Sequence, residues 1–256
     1  MTDQPTQSMT GAEALVSTLA DHGVTACFAN PGTSEMHLVT ALDHEPRIKS
    51  TLCLFEGVAT GAADGHARVT GTPAMTLLHL GAGYLNGGAN IHNARRAWTP
   101  MINVIGDHAV PHQRYDAPLA SDVIGMAGPN SRWIKSADKV GQAGDLAAQA
   151  WEASFGPEPG PVSLILPADT AWLEGGKPGA TRARPSLRQP DTIAIDVAAA
   201  AVKSASKPII IINGTALTEA GLAQAARVKA AGVRVLTDTF FPRQARGAGR
   251  FIPDRM

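Results

Sequence analysis

The chain has 256 residues, and its 22 lysines and arginines balance 22 aspartates and glutamates, so the formal net charge is zero. Without a basic excess there is no electrostatic reason to follow a phosphate backbone, and 5% aromatic residues are few for stacking bases, so nucleic acid is not expected as a partner. At 44% hydrophobic and 17% charged, the composition suits an ordinary buried core rather than a disordered chain.

Residues Met1 to Ala14 are polar and have no apolar core, so no signal peptide is expected. The longest apolar runs, such as Ile209 to Ile212, fall far short of the ~20 residues that span a bilayer. The expectation is a soluble, cytoplasmic protein with no membrane partner. Cys27 and Cys53 each sit in an apolar run and read as buried, reduced thiols.

Short β-branched runs at 24–29, 51–54, 74–79, 101–105 and 162–166 alternate with helix-length segments near 11–20, 35–43, 56–69, 84–97 and 142–155. Most runs are continuous rather than alternating, as in strands covered on both faces. Residues 8–174 are therefore predicted to form a doubly wound, parallel α/β sheet with helices on both faces. Residues 175–190 are rich in Gly, Pro and Arg without periodicity, which predicts a linker. In 191–256 the α/β pattern restarts with helices near 195–204 and 218–231 and strands at 209–213 and 233–236. These are too few units to enclose a core. An incomplete second α/β domain is expected, and with it a portion of a longer polypeptide.

Three segments could carry chemistry. In Phe28-Ala29-Asn30-Pro31-Gly32-Thr33-Ser34-Glu35, Pro31 keeps Asn30 extended, Gly32 permits positive φ, and Thr33 or Ser34 can cap the next helix. Such a turn leaves backbone N–H groups at the carboxyl edge of a sheet, although an ordinary βα turn would look the same. Glu56 opens a helix in which Gly57, Gly61 and Gly65 recur every fourth residue, each costing up to ~1 kcal/mol relative to alanine. The macrodipole alone could favour that glutamate, whereas the glycines call for a closely packed element or subunit. His79 ends its strand, where it is either an acid/base group at the sheet edge or a structural histidine. The glycines that follow it do not match a dinucleotide fingerprint. His108 and His112 are spaced like helical metal ligands, but Pro111 breaks the helix, so they read as pocket lining and no metal site is expected.

Taken in order, these pieces resemble the N-terminal pyrimidine-binding domain of thiamine-diphosphate enzymes, the acetolactate synthase and benzoylformate decarboxylase superfamily. The resemblance rests on Gly11-Ala12-Glu13-Ala14-Leu15 with His22-Gly23-Val24, on Asn30-Pro31-Gly32-Thr33, on Glu56 with Ala62-Ala63-Asp64-Gly65-His66-Ala67-Arg68, and on Gly160-Pro161-Val162 with Leu166-Pro167-Ala168-Asp169. It implies that Glu56 hydrogen-bonds N1′ of the cofactor aminopyrimidine and promotes loss of the thiazolium C2 proton. The cofactor then acts as electron sink for a 2-keto acid. It further implies cofactor binding by Pro31, Gly32, Thr33 and Asn86, and a substrate-side position for His79 and Thr33, with His108 and His112 as further candidates. The family holds diphosphate and Mg2+ with a Gly-Asp-Gly…Asn motif in a C-terminal domain. The nearest string here is Gly106-Asp107-His108, so this chain is not expected to hold the metal. FAD binding is left open. The resemblance implies a homodimer or a dimer of dimers acting as a 2-keto-acid decarboxylase or carboligase. The alternative is a stand-alone pyrimidine-type module that pairs with a separately encoded diphosphate-binding subunit.

Overall fold

A computed structural model describes residues 8–186 and 189–255. The chain divides into two compact units, with the boundary after Pro185. The first contains β1 (Met9–Thr10), α1 (Gly11–Asp21), β2 (Ala26–Asn30), α2 (Met36–Asp43), β3 (Lys49–Leu52), α3 (Glu56–Thr70), β4 (Met75–Leu78) and α4 (Leu80–Arg96). It continues with β5 (Met101–Asp107), α5 (Val123–Ala127), β6 (Ile134–Ser136), α6 (Ala143–Ser154), β7 (Pro161–Pro167), α7 (Ala168–Trp172) and β8 (Glu174–Gly176).

Six of these strands form one sheet in the order β3-β2-β4-β5-β7-β6, and every pairing is parallel. Successive strand side chains feed opposite layers. Met75, Leu77, Ile102, Val104, Val162 and Leu164 pack with Leu15 and Leu19 of α1 and with α6. Leu78, Met101, Ile105 and Ile165 pack on the other face with Ala63, Tyr84, Ile91 and Val123 of α3, α4 and α5. The doubly wound α/β sheet is therefore present with helices on both faces. After β2 the chain adds β3 on one side and then returns to place β4 on the other. That reversal leaves a crevice between the carboxyl ends of β2 and β4, where open α/β sheets take ligands.

Local chemistry sets the helix ends. The Thr10 hydroxyl accepts from the Glu13 N–H at 3.2 Å while the Glu13 carboxylate accepts from the Thr10 N–H at 2.8 Å, a reciprocal cap on α1. Gly71 ends α3 with φ of 76°, a left-handed conformation that costs glycine little. Helix α4 starts at Leu80, four residues before the start expected from the glycine-rich sequence. The three-residue β6 and the antiparallel β1–β8 pair were not predicted, because two or three residues are too few for a periodic signal.

The glycine face of α3 is used within the chain. At Gly61 an added Cβ would lie 3.0 Å from Asn90 Nδ2 of α4, whereas Gly65 is exposed with nothing within 4 Å. Asn90 also donates to the Gly57 carbonyl at 2.7 Å, so α3 and α4 approach closely and share polar contacts. Gly61 therefore meets α4 of its own chain.

The segment read as a linker is strapped to the first unit as far as Arg184. Gly179 N–H donates to Thr18 Oγ1 and Arg182 N–H to His22 Nε2, both at 2.9 Å. The Arg182 guanidinium reaches Glu152 at 2.7 Å and Asp145 at 3.1 Å, and Arg184 lies over the Phe155 ring. Composition alone shows the missing periodicity but not these long-range partners. Both cysteines are free and buried, and burial, with Cys53 nearby, pushes the Cys27 thiol up to about 12.

The second unit contains α8 (Thr192–Ser204), β9 (Ile209–Ile212), α9 (Glu219–Ala230), β10 (Arg234–Thr237) and β11 (Asp254–Arg255). Its three strands are parallel in the order β11-β10-β9. Leu222 and Ala225 of α9 and Val235 of β10 are buried, while Ile193, Ile195 and Val197 of α8 and Ile209 and Ile211 of β9 are exposed. Among the described residues, no helix is long and apolar enough to cross a membrane.

Candidate active site

Two carboxylates converge on the crevice between β2 and β4. Glu56 is the first residue of α3, where the exposed N–H groups of a helix start favour negative charge. It is only 8% exposed, and its Oε2 accepts from Asn86 Nδ2 at 3.1 Å. The Thr60 hydroxyl lies 3.0 Å from the carbonyl oxygens of both Glu56 and Gly87, which ties the first turns of α3 to the middle of α4. Oε1 of Glu56 faces Gly83, where an added Cβ would stand 3.5 Å from it and 3.5 Å from His79 Cβ. A residue without a side chain thus separates Glu56 from His79. Leu54, Phe55, Val58 and Leu85 leave large apolar surfaces exposed on the neighbouring turns of chain.

His79 follows β4 and precedes Leu80, whose φ of 53° is uncommon for a residue with a branched side chain. That left-handed turn ends the strand abruptly. His79 Nδ1 lies 2.8 Å from Glu35 Oε2, and the same oxygen accepts from the Gly32 N–H at 2.7 Å. Glu35 itself is fully buried. Its other oxygen, Oε1, has no hydrogen-bond partner among the described residues, and a Cβ added at Gly106 would overlap it. Leaving one buried polar atom unpaired costs about 1–3 kcal/mol.

This geometry revises the reading of the Pro31-Gly32 turn. Gly32 has φ of −114° and ψ of −158°, so it is extended and needs no left-handed freedom. Glycine is required there because a Cβ would overlap the His79 ring. Neither Thr33 nor Ser34 caps the next helix. Thr33 to Glu35 form a single 3₁₀ turn, and Glu35 reaches back to the Gly32 N–H. Thr33 is exposed and Pro31 half-buried at the rim. Glu35 was not singled out from the sequence, although Gly32-Thr33-Ser34-Glu35 has the three-residue spacing of a reciprocal cap.

His108 and His112 lie elsewhere. Both belong to the loop after β5, with rings 5.5 Å apart, and only His112 sits on the 3₁₀ turn from Val110 to Tyr115. His108 lines a shallow polar cavity with Asp107, Gln113, Ser121, Asp122 and Asp138, and neither Glu56 nor His79 borders it. Asp107 accepts from the His108 N–H at 2.7 Å and from Gln113 at 3.1 Å. Among the described residues, no group of three or more His, Cys, Asp or Glu is placed to hold a metal ion.

The family profile described as "Thiamine pyrophosphate enzyme, N-terminal TPP binding domain" matches residues 9–126, which include both carboxylates, Asn86 and His79. The chain carries the N-terminal domain of the thiamine pyrophosphate enzymes. It is 48% identical over 94% of its length to IlvX of Mycobacterium tuberculosis, provisionally described as an acetolactate synthase large subunit, and covers 46% of that protein. The Escherichia coli K12 acetolactate synthase isozyme 3 large subunit is 30% identical over 83% of this chain and 38% of its own. A solved structure from Mycobacterium smegmatis, provisionally described as a thiamin diphosphate-dependent enzyme, superposes with a TM-score of 0.81 at 27% identity. That match covers 91% of this chain and 45% of the other. The chain thus spans less than half the length of these relatives.

Burial sets the acidity of Glu35 within this domain. Loss of solvent pushes its carboxyl above the ordinary value of 4.5, and the Gly32 N–H and His79 only partly oppose that rise. The folded form therefore holds this proton more tightly than the unfolded chain does. Its contribution to stability falls as pH rises from about 4.5 through the folded value, and the full penalty is present above that window. Glu35→Gln, which cannot ionise, should shift Tm in its own favour relative to wild type as pH rises. Melting curves from pH 4 to pH 8 test this, and a Tm difference that does not vary with pH would contradict it.

Proposed function

We propose that this chain supplies the pyrimidine-binding half of the active site of a thiamine-diphosphate-dependent 2-keto-acid decarboxylase or carboligase of the acetolactate synthase large-subunit type. The observation that carries the reading is Glu56, a buried carboxylate at the head of α3 with one oxygen fixed by Asn86 and the other facing the Gly83 gap. These residues fit an aminopyrimidine. Glu56 offers a buried acceptor for a ring nitrogen, Asn86 holds that acceptor still, and Leu54, Phe55 and Leu85 offer apolar surface. Thiamine diphosphate, when bound, supplies the carbanion-stabilising centre that side chains lack.

Within this chain, Glu56 is the group that would hold or release a proton at the pyrimidine nitrogen. Pro31, Gly32 and Thr33 border the same crevice. His79 is the substrate-side acid/base or hydrogen-bonding group, 23% exposed at the end of β4. The diphosphate and Mg2+ ligands come from a segment outside these 256 residues, in keeping with the part-length match to the relatives. In the complete protein, CO2 release from pyruvate or benzoylformate should require both thiamine diphosphate and Mg2+. His79→Ala should lower kcat while leaving Tm and cofactor affinity close to wild type. A variant that melts much lower, yet turns over normally in its folded fraction, would make His79 a structural histidine. Turnover by wild type without the cofactor would contradict the whole reading.

A further inference from the structure

We propose that Glu35 is the positioning residue of His79, assigning the ring proton to Nδ1 and leaving Nε2 as the nitrogen open to a ligand. This rests on the reading of His79 as a substrate-side group.

The Glu35 carboxylate is tightly placed. Glu35 comes from the turn after β2 and His79 from the end of β4, so only the folded sheet brings them together. Oε2 already accepts from the Gly32 N–H at 2.7 Å. Above the raised titration range of Glu35 its ionised carboxylate can only accept, so the histidine neighbour at 2.8 Å then donates from Nδ1. With that proton placed, a neutral ring carries none on Nε2, which is then a base or an acceptor.

Three further features constrain the same ring. Gly32 has no side chain where a Cβ would overlap His79, and Gly83 leaves the space beside its Cβ empty. Leu80 is buried in a left-handed conformation immediately after it. Backbone strain of this kind persists where the surrounding structure over-determines it. Glu35 also keeps one buried oxygen without a partner among the described residues. A histidine that merely filled the end of a strand would require none of these. Burial raises the pKa of Glu35, and among the described residues His79 is the one side chain whose hydrogen bond opposes that rise.

The test needs neither cofactor nor substrate. Long-range 1H–15N spectra of the 256-residue chain, labelled in histidine, report which nitrogen of neutral His79 is protonated. The expected result for wild type is a single tautomer, with Nδ1 protonated and Nε2 bare. In Glu35→Ala the ring should lose that bias and move toward the Nε2-protonated form. Wild-type spectra already showing Nε2–H, or a mixture, would overturn the proposal without any variant. So would a folded Glu35→Ala chain that keeps the wild-type tautomer at a lowered Tm, since Glu35 would then be purely structural. A fixed Nδ1–H tautomer together with unchanged turnover in His79→Ala would leave the positioning intact and defeat the functional reading of His79 instead.

Discussion

Glu56→Gln in the complete protein should fold normally and lose turnover of pyruvate or benzoylformate by about 10²–10⁴-fold, the usual contribution of a placed proton-transfer group. The amide is nearly isosteric and can still accept from Asn86, so the contact with α4 survives. What disappears is the negative charge. A charge at a helix start contributes only about 0.3–1 kcal/mol to stability, so Tm should scarcely change. Loss of kcat at near-constant Tm separates a chemical role from a structural one. Normal turnover in a well-folded Glu56→Gln protein would mean that the carboxylate is there for the helix alone.

Gly106→Ala should destabilise the first unit by about 1–3 kcal/mol, the range for overpacking a close-packed interior. Gly106 sits in β5 with β4 and β7 on either side, and its missing Cβ is the space that Glu35 Oε1 occupies. Because Glu35 is held from the other side by Gly32 and His79, it cannot step back without breaking both contacts. The cost should therefore depend on Glu35. In a Glu35→Ala background, Gly106→Ala should cost far less, and the difference is the coupling between the two positions. Urea midpoints of the four chains give it directly. Equal penalties in both backgrounds would show that Gly106 serves the strand rather than the carboxylate.

Much of this arrangement was legible in the sequence because local rules carry it. Continuous β-branched runs separated by helix-length segments are enough to specify a doubly wound sheet. Glu56 and Asn86 were marked as cofactor residues by resemblance, and the fold brings them within hydrogen-bonding distance. The failures lie where one residue answers to a distant one. Gly32 looks like a turn glycine, but its reason is the His79 ring, which arrives from another strand. Glu35 looks like the first turn of a helix and proves to be a buried partner of that ring. The stretch around Arg182 lacks periodicity and so reads as a linker, whereas its contacts with Thr18, His22, Glu152 and Asp145 are all tertiary. His108 and His112 drew notice as a spaced pair and as pocket candidates, and His108 lines a cavity that neither Glu56 nor His79 borders.

Glu56 is expected to drive proton loss from the bound cofactor, a step that can be measured without any 2-keto acid. Hydrogen–deuterium exchange at C2 of thiamine diphosphate, followed by quenched-flow NMR on the complete protein, isolates that step from substrate binding and product release. The wild type should exchange far faster than the free cofactor, and Glu56→Gln should lose most of that acceleration while still binding thiamine diphosphate. Exchange at the wild-type rate in Glu56→Gln would contradict the central claim.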